Sequence, residues 1–198
     1  MASLAKPGIH LGHRLIAEGD EKALLPQELR FFAGTATSVR RQSGAARIVA
    51  RRLLEQLDHR DFAITKAPSG APLWPAGIVG SLAHDQTMAV AAVAHATDFS
   101  HLGLDIELAQ TLSDEVAELV SVPAERLRYG CHFMQSPHLF VAKEAVYKAV
   151  HPSDGIFLDY GDIEIDFERG IGRTSYGRTV KVEVAATADH IIGLAYER

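Results

Sequence analysis

The chain has 198 residues, 47% hydrophobic and 23% charged, which describes a globular protein with one substantial core or two small, closely joined ones. A formal net charge of -5 excludes attraction of the whole molecule to nucleic acid or an anionic membrane surface, so any anion site must be local. A single cysteine, Cys131, excludes an intramolecular disulfide framework and fits a reducing cytosol, as a buried or half-buried thiol.

Taken in order, the first residues are broken by Pro7 and Gly8 before an apolar segment develops, so no signal peptide is expected. His10 and His13 are spaced for a metal pair but have no evident third ligand, and they read as surface residues near a flexible terminus. Pro26 followed by Glu28, Leu29, Phe31 and Phe32 predicts a short helical turn. From Arg40 to Leu57, the residues Ala46, Val49, Ala50, Leu53 and Leu57 recur at helical spacing. Arg40, Arg47 and Arg51 fall on a neighbouring stripe, Arg41 and Arg52 add to it, and 38 to 54 holds no acidic residue. Solvated helix faces usually mix both signs, so this one is expected to bind an anion, phosphate above all.

Residues 67 to 77 are dense in turn formers and contain the only tryptophan, Trp74, which predicts a structured loop. Ile78 and Val79 lead into a glycine-histidine turn, Gly80 to His84, where backbone N–H groups and an imidazole could face a phosphate. Met88 to Ala94 reads as a buried strand, too short to span a bilayer. Leu102, Leu104 and Ile106 then alternate with Gly103, Asp105 and Glu107, a strand with one buried face and two carboxylates on the other. Such a pair fits either a solvated strand face or a shelf of oxygen ligands for Mg²⁺, and the rest of the chain decides between them.

Leu112 to Val120 has helical spacing, with Ser113 as N-cap and Pro123 as its terminator, and helix fragments follow to Pro137. Leu139 to Val150 is a predicted helix whose outer face carries Lys143, Glu144, Tyr147 and Lys148. If that helix packs across the carboxylate strand, Glu144 becomes a third carboxylate. Runs near Ile163 to Phe167, Val180 to Val184 and Ile191 to Tyr196 alternate as strands and complete a sheet.

Three segments, Gly80-Ser81-Leu82-Ala83-His84, Gly103-Leu104-Asp105-Ile106-Glu107 and Ala142-Lys143-Glu144-Ala145-Val146-Tyr147-Lys148-Ala149, resemble in order and spacing the signature motifs of the Sfp-type 4′-phosphopantetheinyl transferases. The branch most resembled is that of enterobactin synthetase component D. The arginine helix, the loop from Gly70 to Gly77 and Phe157-Leu158-Asp159-Tyr160 support the likeness, which covers roughly 38 to 165. The resemblance implies a pseudo-twofold α/β (α+β) fold, with halves at 1–98 and 99–198 and coenzyme A between them. It implies transfer of phosphopantetheine from coenzyme A to a serine of an acyl, aryl or peptidyl carrier protein, for siderophore, other nonribosomal peptide or polyketide synthesis, and the expected absence of a signal peptide or membrane span places this in the cytoplasm. It makes Asp105, Glu107 and Glu144 the Mg²⁺ ligands, Glu144 and Lys148 the catalytic pair, and Arg40, Arg47, His84 and Lys148 the coenzyme A contacts. Ala83 stands where the family usually has serine, Gln42 and Ser43 where it has an acidic residue and an aromatic, and Ala46 where it has glycine. These departures concern coenzyme A affinity, and they keep a non-catalytic coenzyme A or nucleotide-binding module as the alternative. A nucleic-acid binder acting through the arginine helix would need steep salt dependence and no Glu144.

Overall fold

The computed structural model describes residues 4–198, with the backbone alone at Cys131 and His132, so the expectation for the cysteine thiol lies outside the described side chains. Strand β1 (Ile9–Leu15) is followed by short α1 (Pro26–Leu29) and the long α2 (Thr37–Glu55). Strands β2 (Ile78–His84) and β3 (Met88–His95) join β1 in an antiparallel sheet of order β1-β3-β2. His10 and His13 therefore sit in a paired strand, not at a flexible end, with Ile9 opposite Ala94 and Leu15 opposite Met88. Histidines, Gly12 and Arg14 interrupt the alternation that would have marked this strand; Gly12 is needed because α2 presses Val49 and Leu53 against it.

The second sheet is antiparallel and runs β4-β8-β7-β6-β5, from β4 (His101–Leu108), β5 (Ile163–Asp166), β6 (Ile171–Thr174), β7 (Thr179–Ala186) and β8 (His190–Glu197). Between β4 and β5 lie α3 (Asp114–Val120), α4 (Pro123–Tyr129), α5 (Cys131–Met134) and α6 (His138–Asp154). Ser113 caps α3 as expected, its hydroxyl accepting from Val116 N. Pro123, however, opens α4 instead of merely stopping α3: proline suits the first helical turn, where its missing N–H is no loss. β6 is the one strand of this sheet the alternation did not disclose, because its four residues include Gly172 and Arg173.

Each half thus pairs one antiparallel sheet with one long helix. Helix α2 covers the first sheet through Val49, Ala50, Leu53 and Leu54, and α6 covers the second through Ala142, Ala145, Val146 and Ala149. Strand β4 is buried on both faces, not on one. Leu102, Leu104 and Ile106 meet Ala83, Val90 and Ala92 of the first sheet, while α6 crosses the opposite face.

Candidate active site

β2 and β4 are edge strands of their sheets, and they lie side by side where the halves meet. Leu104 N donates to the buried Ser81 Oγ at 2.9 Å, using a backbone group that the β8 ladder leaves over. The segment from Gly80 to His84 is accordingly strand rather than turn, and His84 is its last residue.

On the other face, a Cβ at Gly103 would collide with the Ala145 carbonyl and come within 2.5 Å of Ala149 N, so glycine permits the backbone-to-backbone approach of α6. That approach sets Glu144 and Lys148, one turn apart, against the carboxylates of β4. Lys148 Nζ lies 2.5 Å from Asp105 Oδ1, so the lysine pairs with the strand and not with Glu144. Asp105 is 5% exposed, and its Oδ2 has no hydrogen-bond partner. Burial pushes the Asp105 carboxyl up to about 6 in spite of Lys148, with Glu144 adding to the rise. Glu107 is pushed up to about 7 by burial and by the charges of Asp105 and Asp85. Glu144 accepts a 3.0 Å hydrogen bond from Tyr160 Oη.

The second charge of the site is positive. Arg47 sits over the Phe32 ring with its Cζ 5.0 Å from the centroid, and Lys66 Nζ lies 4.8 Å from the same centroid. Burial, reinforced by Arg47, lowers the Lys66 pKa. Crowding by protein around the His84 ring, with the charges of Lys148 and Arg47, holds that histidine below its ordinary value. Arg47 of α2 thus acts on both Lys66 of the following loop and His84 of β2, and Lys148 of α6 acts on His84 as well.

The arginine stripe itself is corrected. Its acidic partners come from the segment before it: Arg41 pairs with Glu21 at 3.0 Å and Arg51 with Glu28 at 2.9 Å. Arg47 is 3% exposed, donates through Nε to Ile64 O at 2.9 Å, and stands 3.6 Å from the fully buried Glu28. Arg40 is more open, bonding Thr37 Oγ1 at 3.2 Å. The absence of acids within the helix therefore marked inward-facing arginines waiting for remote carboxylates. Ala46 packs with Ala45 and Ala89, and Ala83 is buried against β4, so these two of the departures from the family pattern lie in the core.

A cavity of about 310 Å³ opens between the halves, walled by Ala71 and Pro72, by Gly80 and Ser81, and by Lys148 and His151. A larger one, about 690 Å³, lies past the end of β4 around Thr111, Phe133 and His138, and holds none of the carboxylates. Sequence reasoning missed Asp85, whose Oδ1 ties the β2–β3 hairpin through Thr87 N and Met88 N and whose charge reaches Glu107. It also gave Tyr160 no role. Only tertiary contact identifies either.

The donor set of Asp105, Glu107 and Glu144 is all oxygen and suits a hard cation such as Mg²⁺. The unpartnered Asp105 Oδ2 and the raised carboxyls of Asp105 and Glu107 fit that ion, because a positive charge there would relieve both. Among the described residues, no three His, Cys, Asp or Glu side chains already converge as a metal cluster; at Asp105 the ammonium of Lys148 is the nearest cation.

Carboxylates of β4 and α6 that face one another beside Lys148, where two sheet-and-helix halves meet, suit a protein that handles a phosphate-bearing substrate. Residues 26–94 match the 4′-phosphopantetheinyl transferase N-terminal domain, and residues 101–195 match the 4′-phosphopantetheinyl transferase superfamily. The chain is 38% identical over 155 residues to 4′-phosphopantetheinyl transferase Npt of Nocardia iowensis, covering 77% of this chain and 70% of that protein. It is 34% identical to 4′-phosphopantetheinyl transferase Svp of Streptomyces mobaraensis over 75% of this chain and 63% of the relative. For 4′-phosphopantetheinyl transferase PptT of Mycobacterium tuberculosis the figures are 34%, 73% and 65%. The chain belongs to the 4′-phosphopantetheinyl transferase superfamily.

Proposed function

We propose that this enzyme transfers 4′-phosphopantetheine from coenzyme A to the serine hydroxyl of an acyl, aryl or peptidyl carrier protein, releasing 3′,5′-adenosine bisphosphate. The observation that carries the reading is the juxtaposition of Asp105, Glu107, Glu144 and Lys148 with the basic groups His84, Arg47 and Lys66 at one junction. Asp105, Glu107 and Glu144 would hold Mg²⁺, which when bound neutralises charge on the diphosphate oxygens. Glu144, hydrogen-bonded through one oxygen only among the described residues, accepts the serine proton directly or through water. Lys148 offsets charge on the leaving bisphosphate. His84 and Arg40 contact phosphates at the nucleotide end, while the buried Arg47 contributes charge beside Lys66.

In this reading residues 1–98 supply the nucleotide end and 99–198 the reacting groups. Among the described residues no helix is long and apolar enough to cross a membrane, and we place the enzyme in the cytoplasm, with no role for nucleic acid. Likeness to the enterobactin synthetase component D branch supports carriers of siderophore or related peptide and polyketide assembly. The test is the intact mass of apo carrier proteins of each type after incubation with the enzyme, coenzyme A and Mg²⁺. Addition of one phosphopantetheine, abolished by EDTA and greatly slowed by Glu144→Gln, is expected; coenzyme A binding with no addition to any carrier would instead indicate a non-catalytic module.

A further inference from the structure

Among the described residues, Lys143 is the largest fully buried ionisable group to which the proposed chemistry gives no task. It is fully buried, as is Glu125, and the two form an ion pair of 2.9 Å. Glu125 also accepts from Val122 N at 2.8 Å and from Ile165 N at 2.7 Å, which fixes the pair to α4 and β5. Lys143 Nζ donates in addition to the backbone carbonyl of Tyr160 at 2.9 Å. The next residue of α6, Glu144, accepts from the hydroxyl of that same tyrosine at 3.0 Å. Two adjacent helix residues thus grip the two ends of Tyr160, and Phe140 holds its ring from the side at 5.6 Å between centroids.

We infer that Tyr160 is a positioning residue for the Glu144 carboxylate, anchored from behind by the Lys143–Glu125 pair. The inference rests on the role given to Glu144 above. A glutamate has several torsions to order, whereas a tyrosine fixed at its carbonyl and ring presents its hydroxyl on a rigid arm. One Glu144 oxygen is held by that arm, and the other has no protein donor among the described residues. The proton acceptor is therefore aimed before substrate arrives.

The experiment compares Tyr160→Phe, Glu144→Gln and the double variant with wild type, reading kcat, KM, coenzyme A binding by calorimetry and melting temperature. Tyr160→Phe is expected to lower kcat about 10-fold with KM and coenzyme A affinity within about twofold. Melting should be little changed, and the hydroxyl should have no further effect in the Glu144→Gln background. Wild-type kcat in Tyr160→Phe, a loss confined to KM, or a loss that multiplies with Glu144→Gln overturns the inference while leaving the transferase reading intact. Wild-type transfer by Glu144→Gln overturns the role of Glu144, and the inference with it.

Discussion

Lys148 Nζ and Asp105 Oδ1 lie 2.5 Å apart, joining the helix of the third motif to the strand of the second. The lysine partly offsets the burial that drives the Asp105 carboxyl upward. Lys148→Met should therefore lower carrier modification about 100-fold, the scale of losing one charge-stabilising group at a reacting centre. It should also destabilise the fold by leaving a buried carboxylate without its cation. Intact-mass kinetics and urea unfolding measure the two effects. Adding Asp105→Asn should recover stability but not activity; recovery of both would separate the pair from the chemistry.

The two strand carboxyls set a pH dependence. Asp105 and Glu107 are raised from 3.8 and 4.5 to about 6 and about 7, so the folded protein holds their protons more tightly than the unfolded chain does. Their contribution to stability is complete below the unfolded values and is lost as pH rises through 6 and 7. Glu107→Gln, which cannot ionise, should thus melt higher than wild type by a margin that grows from pH 5 to pH 8 in EDTA. Added Mg²⁺ should narrow that margin at pH 8. A margin independent of pH would contradict the assignment.

Removing one member of the buried Lys143–Glu125 pair leaves an uncompensated charge in the core. Lys143→Met is expected to cost about 3–5 kcal/mol in urea unfolding. Lys143→Met with Glu125→Gln should recover part of this, because the amide oxygen can still accept one of the backbone N–H groups that Glu125 serves. Equal losses in the single and double variants would show that packing, not charge, dominates.

Gly103 and Gly193 both lie under α6, whose Ala145 and Val141 carbonyls occupy the space of a Cβ. Gly103→Ala must push the helix off β4, at an overpacking cost of about 1–3 kcal/mol. Because Glu144 and Lys148 ride on that helix, transfer should fall by more than thermal denaturation alone explains. An alanine variant with full activity and unchanged melting would refute the close approach.

The candidate residues of the proposed site were legible before the fold, because phosphate chemistry needs a few residue types at fixed spacing. Asp105 and Glu107 two apart in an alternating run, and Glu144 and Lys148 four apart in a helical one, declare their faces from period alone. The main helices and strands followed from the same periods. What composition could not reveal was partnership across the chain. The acid-free stretch of α2 looked like a free anion surface, yet Glu21 and Glu28 fold back to meet Arg41 and Arg51. Likewise His10 and His13 gave no sign of the strand they occupy, since its stability comes from pairing with β3. The sequence by itself determined which groups could do the chemistry, since side-chain type and local periodicity are short-range properties. Only the tertiary structure decided that Lys148 faces Asp105, that Lys143 points inward to Glu125, and that Tyr160 reaches Glu144. Those contacts depend on how a strand edge, a glycine-thinned surface and a helix pack, and such packing couples residues far apart in the chain.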